Sequence, residues 1–347
     1  MFCLTLKPNR MLALTFLVLS LLADSTTAQA QYKVTNLVTT HKTGAPHHDP
    51  NLVNAWGLSF LPTSPFWVSD NGTGKTTIYD PSGNLLLTVK VPSASGTGIG
   101  SPTGQVANPS KGIFIVRKGT LKGAAAFIFA TLDGTISGWN PNVDMNNAIV
   151  AFRKSGDMFT GLAIATVGSN RFLYATDAAH NKVDVFDSSF KLVSSFTDPH
   201  TPAGLAVYGI QTIHGKIYIT LGIPGSKAGA VDVYNPSTKM LKRLSTNRAG
   251  GTLDEPWGLA ISPSNFGHFS NALLVGNVAN GHINAFNPST GAFLGTLKNT
   301  AGKPITLSGL WALEFGGGTT ANGGKNQLFF TSGPRGYTLG VFGVIKP

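Results

Sequence analysis

Apolar and polar positions alternate in short runs along the chain from about residue 30 onward. Phe66–Asp70 (FWVSD), Phe172–Thr176 (FLYAT) and Leu328–Ser332 (LFFTS) are such runs, and Gly, Asn, Asp or Pro residues separate them from the next run. Short apolar runs bounded by turn residues are typical of β-strands. The pattern therefore predicts many short strands joined by tight turns.

One short sequence motif, which we call the phrase, is repeated along the chain. In most copies it combines a bulky residue, a small residue and Leu. Its copies are WGLSF from Trp56, PTGQVAN from Pro102, FTGLAIA from Phe159, PAGLAVY from Pro202, WGLAIS from Trp257 and GLWALEF from Gly309. We align them at the small residues Gly57, Gly104, Gly161, Gly204, Gly258 and Ala312. A β-rich run, a polar turn, a third run and usually a fourth run follow each copy. Four strands per unit of roughly 40–50 residues are typical of a β-propeller blade, so we expect an all-β, six-bladed propeller of four-stranded blades.

The sixth unit lacks a fourth run, whereas the strand-like run Tyr32–Thr39 precedes the first unit. We expect this N-terminal strand to complete blade six and close the ring, because closure removes an exposed sheet edge. The alternative is a row of independent small sheets. In blade two, Lys111–Gly123 adds a run that is either an extra strand or a protruding hairpin.

The repeated phrase also suggests how neighbouring blades pack. Strict alternation would place Trp257, Leu259 and Ile261 on one side of a strand, and Gly258 and Ala260 on the other. Large residues of one blade would then fill the space that small residues of the next blade leave. This interpretation assigns the tryptophans to core packing and not to a ligand site.

The first thirty residues have the pattern of a secretory signal peptide. Lys7 and Arg10 precede the apolar run Met11–Ala23, and Ala28–Ala30 (AQA) provides a small-x-small cleavage site. The apolar run has about 13 residues, whereas a membrane span needs roughly 20. We therefore expect cleavage after residue 30, a single propeller domain over residues 31–347, and a secreted protein, extracellular or periplasmic, with no transmembrane segment in the mature chain.

Composition agrees with this picture and excludes some partners. The 347 residues include 42 Gly and 20 Pro but only 12 % charged residues, which suits a turn-rich β-protein. The formal net charge is +11, yet Lys and Arg are scattered, so we expect no nucleic-acid partner. The only cysteine, Cys3, lies in the leader, which predicts a mature domain without disulfides. We expect a monomer.

Several longer motifs resemble a family of exported, functionally uncharacterised β-propeller proteins, whose members often carry PEP-CTERM sorting tails. The motifs are DPNLVNAWGLSF, PFWVSDNGTG, AAFIFATLDGTISGWNP, GLWALEFG and NQLFFTSGP. The last residues, YTLGVFGVIKP, do not match such a tail, and Gly333–Thr338 lacks the acidic residues that members often carry there. More distantly, the chain is similar to NHL-repeat and gluconolactonase-type six-bladed propellers. The resemblance implies a propeller fold and export, and it implies no particular activity.

Polar side chains at the predicted blade ends form a candidate site over the central channel. Carboxylate and amide oxygens there could hold Ca²⁺ or Mg²⁺ or take part in acid–base chemistry, although Asp and Asn in turns often bond only to their own backbone. The candidate ligand-binding residues are Asn54, Asp70, Asn71, Asp133, Asp177, His180, His200, Asn277 and Arg335. The candidate metal ligands are Asp70, Asp177, Asp254 and Glu255.

Two further positions have alternative interpretations. Glu314 falls on a predicted inner strand, where a charge needs a partner, so it either pairs with Arg or Lys or lines the channel. His47–Asp49 (HHD) could suggest a metal cluster, but adjacent residues of an extended segment point apart. We interpret it as a solvated segment leading into blade one.

The sequence leaves three classes of function open. It contains no phosphate-binding loop, no Cys/His zinc spacing and no serine nucleophile elbow. This favours a non-catalytic binding or surface-interaction propeller that takes an extracellular small molecule, glycan or protein over the channel. The alternatives are a divalent-metal-dependent hydrolase or lyase acting on a lactone or sugar acid, and a structural component of the extracellular matrix.

Overall fold

The computed structural model describes residues 1–2, 31–247 and 250–347. The predicted signal peptide therefore lies outside the described residues, apart from its first two positions. In the described part of the chain, six four-stranded antiparallel sheets form a ring. The first strand of each blade packs against the first strand of the next, and blade six packs against blade one. The prediction of an all-β, six-bladed propeller is confirmed.

Blades one to three follow the repeat units, with the first strand innermost and the fourth at the outer edge. The strands of blade one are Ala55–Ser59, Phe66–Asp70, Lys75–Tyr79 and Leu85–Lys90. Those of blade two are Pro102–Ala107, Phe127–Thr131, Thr135–Trp139 and Ile149–Arg153. Those of blade three are Phe159–Val167, Asn170–Asp177, Lys182–Phe186 and Leu192–Phe196.

Blades four and five have the same strand order, and blade six takes its outer strand from the other end of the chain. The strands of blade four are Ala206–Ile213, Lys216–Gly222, Gly229–Asn235 and Met240–Asn247. Those of blade five are Pro256–Ile261, Leu273–Asn277, Ile283–Phe286 and Phe293–Thr296. Those of blade six are Leu310–Phe315, Leu328–Ser332, Val341–Lys346 and Gln31–Thr39.

The N-terminal strand closes the ring as predicted. It runs antiparallel to the last strand, with Lys33 opposite Lys346 and Thr39 opposite Val341. Tyr32 is fully buried, and its hydroxyl donates to the carbonyl oxygen of Phe266 at 2.9 Å. The closing strand is therefore anchored to blade six by its backbone and to blade five by a side chain.

Short elements outside the blades complete the secondary structure. They are the strands His47–His48 and Lys298–Asn299 beside the closing strand, the 3₁₀ turn Gly267–Phe269, and the helical turn Pro334–Tyr337. Asp49 is buried and accepts a hydrogen bond from the Tyr79 hydroxyl at 2.8 Å, so the end of the HHD segment is packed rather than solvated. Among the residues that the structure describes, none forms a helix with the length and hydropathy needed to span a bilayer.

The extra run of blade two is a protruding hairpin. Its strands Ile115–Lys118 and Leu121–Ala124 pair only with each other in a separate two-stranded sheet. Phe114, at its base, is fully buried and packs edge-on against Phe190 of blade three at 5.2 Å between ring centroids. The exposed tip thus projects from a base that joins two blades.

The repeated phrase lies at a β-bulge in the first strand of every blade. The register between the first and second strands shifts at this point six times, and a bulge redirects the side chains beside it. The expected strict alternation through the phrase is therefore wrong.

The small residue of the phrase lets neighbouring blades approach closely. A Cβ on Gly209 would overlap the carbonyl oxygen of Trp257, and a Cβ on Gly258 would overlap that of Trp311. Gly209 is thus the equivalent residue in blade four. The alignment at Gly204 is wrong, because Gly204 precedes the strand, with φ of +77° and open space around it.

Candidate functional site

Four aromatic residues at the bulges converge on the axis of the ring, and we call them the aromatic plug: Trp56, Tyr208, Trp257 and Trp311. Trp56 stacks on Trp311 with ring centroids 3.7 Å apart. Trp257 meets these two rings edge-on at 6.1 and 5.9 Å, and Tyr208 meets Trp311 edge-on at 6.0 Å. All four are buried, with at most 7 % of their surface exposed. The prediction that the tryptophans are core residues agrees with this burial.

Hydrogen bonds fix the orientation of two plug residues. The indole nitrogen of Trp257 donates to the carbonyl oxygen of Thr160 at 3.0 Å, and that of Trp311 donates to Asn54 Oδ1 at 2.9 Å. The indole nitrogen of Trp56 is buried and has no hydrogen-bond partner among the described residues. One donor in the plug is thus left unsatisfied, which is costly inside a protein.

A cavity of about 410 Å³ lies above the plug, at the mouth formed by the starts of the first strands and the turns after the second strands. We call it the upper cavity. Trp56, Tyr208 and Trp311 form its base, and Tyr337 adds a fourth aromatic ring. Leu132, Met158, Ile223 and Pro224 supply aliphatic wall surface. The volume is within the range of small-molecule sites, and the lining is of the apolar kind typical of them.

Two phenols and one carboxylate stand close together at this mouth. Burial raises the pKa of Tyr208, and the nearby Tyr337 and Glu255 raise it further. Burial also raises the pKa of Glu255, while the Gly225 backbone N–H that donates to it lowers it. Both phenols are therefore protonated at neutral pH and can donate hydrogen bonds to a ligand.

An acidic group with one histidine flanks the upper cavity. Ligand atoms of Asp157, Asp177 and His180 lie within 4.8 Å of one another, and the cavity wall includes the adjacent Met158 and Ala178. His180 Nδ1 is 2.7 Å from Asp177 Oδ2. This contact orients the imidazole ring of His180, and the Nε2 atom takes no part in it.

Lysines already occupy part of this group. Lys154 Nζ is 2.9 Å from Asp157 Oδ1, and Lys182 Nζ is 3.5 Å from Asp177 Oδ2. A divalent ion bound here would compete with these ammonium groups.

The structure does not bring the four predicted metal ligands together. Within the described ranges, the only group of three or more such side chains that meets a metal-binding spacing is Asp157, Asp177 and His180. Asp70 is fully buried in blade one and accepts from Thr77 Oγ1 at 3.3 Å; burial raises its pKa well above the usual value. Glu255 accepts from Gly225. These carboxylates thus have separate structural partners.

The other predicted ligand residues are distributed around the turns. Asn54 lines the upper cavity and donates to Asn71 Oδ1 at 3.1 Å, and Asn71 donates to the Pro102 carbonyl oxygen at 3.2 Å. Asp133 accepts from the backbone N–H of Ala94, and Asn277 from that of Asp254. The side chain of His200 is 89 % exposed, and Arg335 lies exposed in the left-handed part of a turn. Of the nine, Asn54 is part of the cavity wall, and Asp177 and His180 stand beside it.

The aromatic lining was missed by sequence reasoning, although a signal for it exists. The residue before the small residue of the phrase is aromatic in four of the six copies once blade four is aligned at Gly209. A bulge turns this position toward the axis in each blade. Interpreting the phrase as a strict strand hid that convergence.

A second cavity, of about 350 Å³, lies on the other side of the plug, and we call it the lower chamber. Ser59, Gln105, Gln211, Thr212 and Glu314 line it, and it shares no lining residue with the upper cavity. The aromatic plug therefore separates two compartments of different character: the upper one is mainly apolar, and the lower one has a mixed lining that includes a carboxylate, amides and hydroxyls.

Glu314 lines the channel and forms no salt bridge with any residue that the structure describes. Its Oε2 accepts from Gln211 Nε2 at 3.0 Å, and burial raises its pKa to about 7, although the Gln211 hydrogen bond lowers it. The residue keeps partial contact with the channel but is surrounded by protein. Of the two interpretations of Glu314, the structure favours the channel lining.

Comparisons with known proteins support the fold and assign no activity. No family model matches the chain. It is 27 % identical over 330 residues to the uncharacterized protein R648 of Acanthamoeba polyphaga mimivirus, covering 88 % of this chain and 78 % of that one. It is 29 % identical over 310 residues to the uncharacterized protein L690 of the same virus, covering 82 % and 79 %. Membership of an exported family stays a prediction.

Solved structures with similar folds include three enzymes. They are a streptogramin B lyase (TM-score 0.52, 12 % identity, 91 % of this chain and 97 % of that one), a gluconolactonase from Xanthomonas campestris (0.53, 12 %, 85 % and 86 %) and an aldose sugar dehydrogenase from Streptomyces coelicolor (0.52, 12 %, 91 % and 99 %). At these identities the similarity shows a shared propeller fold.

Proposed function

We propose that this protein is a ligand-binding propeller whose upper cavity takes a compact, mainly apolar small molecule. The observation that carries the proposal is the convergence of Trp56, Tyr208, Trp311 and Tyr337 on one cavity of about 410 Å³. Aromatic rings supply large apolar contact area, and Tyr also offers a hydrogen-bond donor. The ligand therefore combines an apolar body with at least one hydrogen-bond acceptor.

Isothermal titration calorimetry with 2-naphthol and cyclohexanol tests this proposal, with glucose as the polar control. We expect the two apolar alcohols to bind with a negative heat-capacity change, because binding buries apolar surface. Ala179→Trp fills the cavity from its exposed rim and should weaken binding at least tenfold. Ala292→Trp, on the exposed outer part of blade five, is the matched control and should bind normally. Preferred binding of glucose, or normal binding by Ala179→Trp, would contradict the proposal.

A second candidate function is a metal-dependent hydrolase acting on a lactone. The group Asp157, Asp177 and His180 favours it, because three potential ligands stand beside the upper cavity. The candidate requires hydrolysis of glucono-δ-lactone above the uncatalysed rate with Mg²⁺ or Ca²⁺, loss of this rate in chelator, and loss of the metal response in Asp177→Asn. It also requires the melting temperature to rise with metal concentration. Rates equal to the uncatalysed rate with both ions would eliminate this candidate.

Export is part of the same proposal. It is supported by the leader-like pattern before residue 31. N-terminal sequencing of protein recovered from outside the producing cell should begin at Gln31. Retention of the full chain inside the cell would refute export.

A further inference from the structure

The lower chamber holds one carboxylate, Glu314, in an otherwise uncharged wall of polar and apolar groups. Ser59, Gln211 and Glu314 occupy the same place in their blades, two positions after the small residue of the phrase. Glu314 faces the chamber of about 350 Å³ and also a connected space of about 210 Å³ next to it. Among the described residues, neither lining includes Lys or Arg. The charge of Glu314 is therefore not balanced by any side chain of the wall.

His214 is the other titratable side chain of this region. It lines the smaller space together with Glu314, but it is exposed to solvent. The remaining wall consists of amides, hydroxyls and apolar groups such as Leu58, Phe60 and Ile164. The chamber thus favours a cation over an anion, with apolar surface available for carbon atoms.

Two hydroxyl oxygens in the chamber wall have no hydrogen-bond partner among the described residues. Ser59 Oγ and Thr212 Oγ1 are both buried, and Ser59 as a whole is only 8 % exposed. Buried polar atoms are normally satisfied, so an unsatisfied pair beside a cavity requires an explanation. An ammonium group carries three N–H donors and no acceptor, which suits a wall made of carboxylate, amide and hydroxyl oxygens.

We propose that the lower chamber binds a small organic ammonium ion, with Glu314 as its counter-ion. The size of the chamber favours an organic cation, because about 350 Å³ is large for a single metal ion. The charge favours it too, because Ca²⁺ sites use six to eight oxygen ligands and usually several carboxylates. The inference is independent of the upper cavity, since the plug separates the two compartments.

Thermal unfolding with n-butylammonium chloride tests the inference, with sodium butyrate and potassium chloride at matched ionic strength as controls. We expect only n-butylammonium to raise the melting temperature in proportion to the logarithm of its concentration, once that exceeds the dissociation constant. Binding should be several-fold tighter at pH 8 than at pH 6, because the charged form of Glu314 is the counter-ion.

Variants distinguish the role of Glu314 as counter-ion from the effect of removing any carboxylate. Glu314→Gln should weaken n-butylammonium binding at least tenfold, whereas Glu314→Asp should retain part of it. Asp187→Asn, which removes a carboxylate from a turn of blade three that lines neither cavity, is the control and should bind as the unmodified protein does. Equal shifts with sodium butyrate or potassium chloride, no shift in the unmodified protein, or an unchanged response in Glu314→Gln would each overturn the inference.

Discussion

The small residue is glycine in five of the six phrases and Ala312 in the sixth, and at the glycines the absent Cβ allows neighbouring first strands to approach closely. Gly57, Gly104, Gly209 and Gly258 all lie where a Cβ would overlap the backbone of the neighbouring first strand, and a Cβ on Gly161 would lie 3.2 Å from the Ile210 backbone nitrogen. The ring of first strands is therefore held together by close backbone approach. This explains why the phrase keeps a small residue while its other positions vary.

Gly209→Ala should destabilise the protein markedly. Its Cβ would overlap the carbonyl oxygen of Trp257, which is backbone and cannot move aside alone. Overpacking of this kind typically costs about 1–3 kcal/mol, measurable by urea unfolding. Gly324→Ala is the control, since its Cβ would have no neighbour nearer than 3.4 Å, and a change within about 0.5 kcal/mol is expected there. Similar losses in both variants would show that the close approach is not the cause.

Glu314 should make stability depend on pH. Burial raises its pKa from the usual 4.5 to about 7, so between these values the folded protein keeps a proton that the unfolded chain has lost. The free energy of unfolding therefore falls as pH rises through this window. Glu314→Gln lacks the titration and should gain about 1–3 kcal/mol relative to the unmodified protein between pH 4 and pH 8. Urea unfolding of both proteins at the two pH values measures the difference, and a constant difference would contradict the raised pKa.

At the scale of elements, the sequence predicts strands well and bulges poorly. Runs such as Phe66–Asp70 and Leu328–Ser332 are strands with the expected bounds, because alternation and turn residues are local signals. The cause of the bulge at each phrase is not local in the sequence. The bulge arises where a first strand must meet both its own blade and the next one, and composition alone does not encode that contact.

The protruding hairpin provides a test of which part of an element stabilises the fold. Phe114→Ala removes a fully buried ring that packs on Phe190 and should cost about 3–5 kcal/mol. Shortening the exposed tip within Lys118–Leu121 should change stability little, because few contacts are lost. Thermal unfolding of the two variants compares base and tip. A larger loss from the shortened tip would contradict the role assigned to the base.

At the scale of the whole molecule, the fold was predictable and the site was not. Six repeats and a spare strand are enough to imply a closed ring. The register between neighbouring blades determines which side chains lie at the axis. This register cannot be derived from the spacing of residues in the sequence. Asp70 and Asn277 matched the turn positions but bond within their own blades, to Thr77 and to the Asp254 backbone N–H, whereas Trp56 and Trp311 meet between blades one and six.

Ring closure is tested by removing the closing strand. A chain that begins at His47 lacks Gln31–Thr39, which leaves the edge of Val341–Lys346 unpaired and the space of buried Tyr32 empty. We expect aggregation or a large drop in melting temperature, because an unpaired strand edge promotes intermolecular pairing. A chain that begins at Gln31 is the control and should melt like the full protein once its leader is removed. Equal melting temperatures for the two truncated chains would refute closure.

Because the ring closes through strands from the two ends of the domain, closure must be a late step in folding. The closing strand Gln31–Thr39 is the first strand of the ring to be synthesised, and its partner Val341–Lys346 is the last. Thr40 and Gly340, which form a hydrogen bond beside this pairing, are 300 residues apart in the sequence. Until Val341–Lys346 has been synthesised, Gln31–Thr39 has no pairing partner. In that interval its edge could pair with strands of other proteins. The ring can therefore close only after Val341–Lys346 has been synthesised, and a product that ends before this strand would leave strand edges of blade six unpaired.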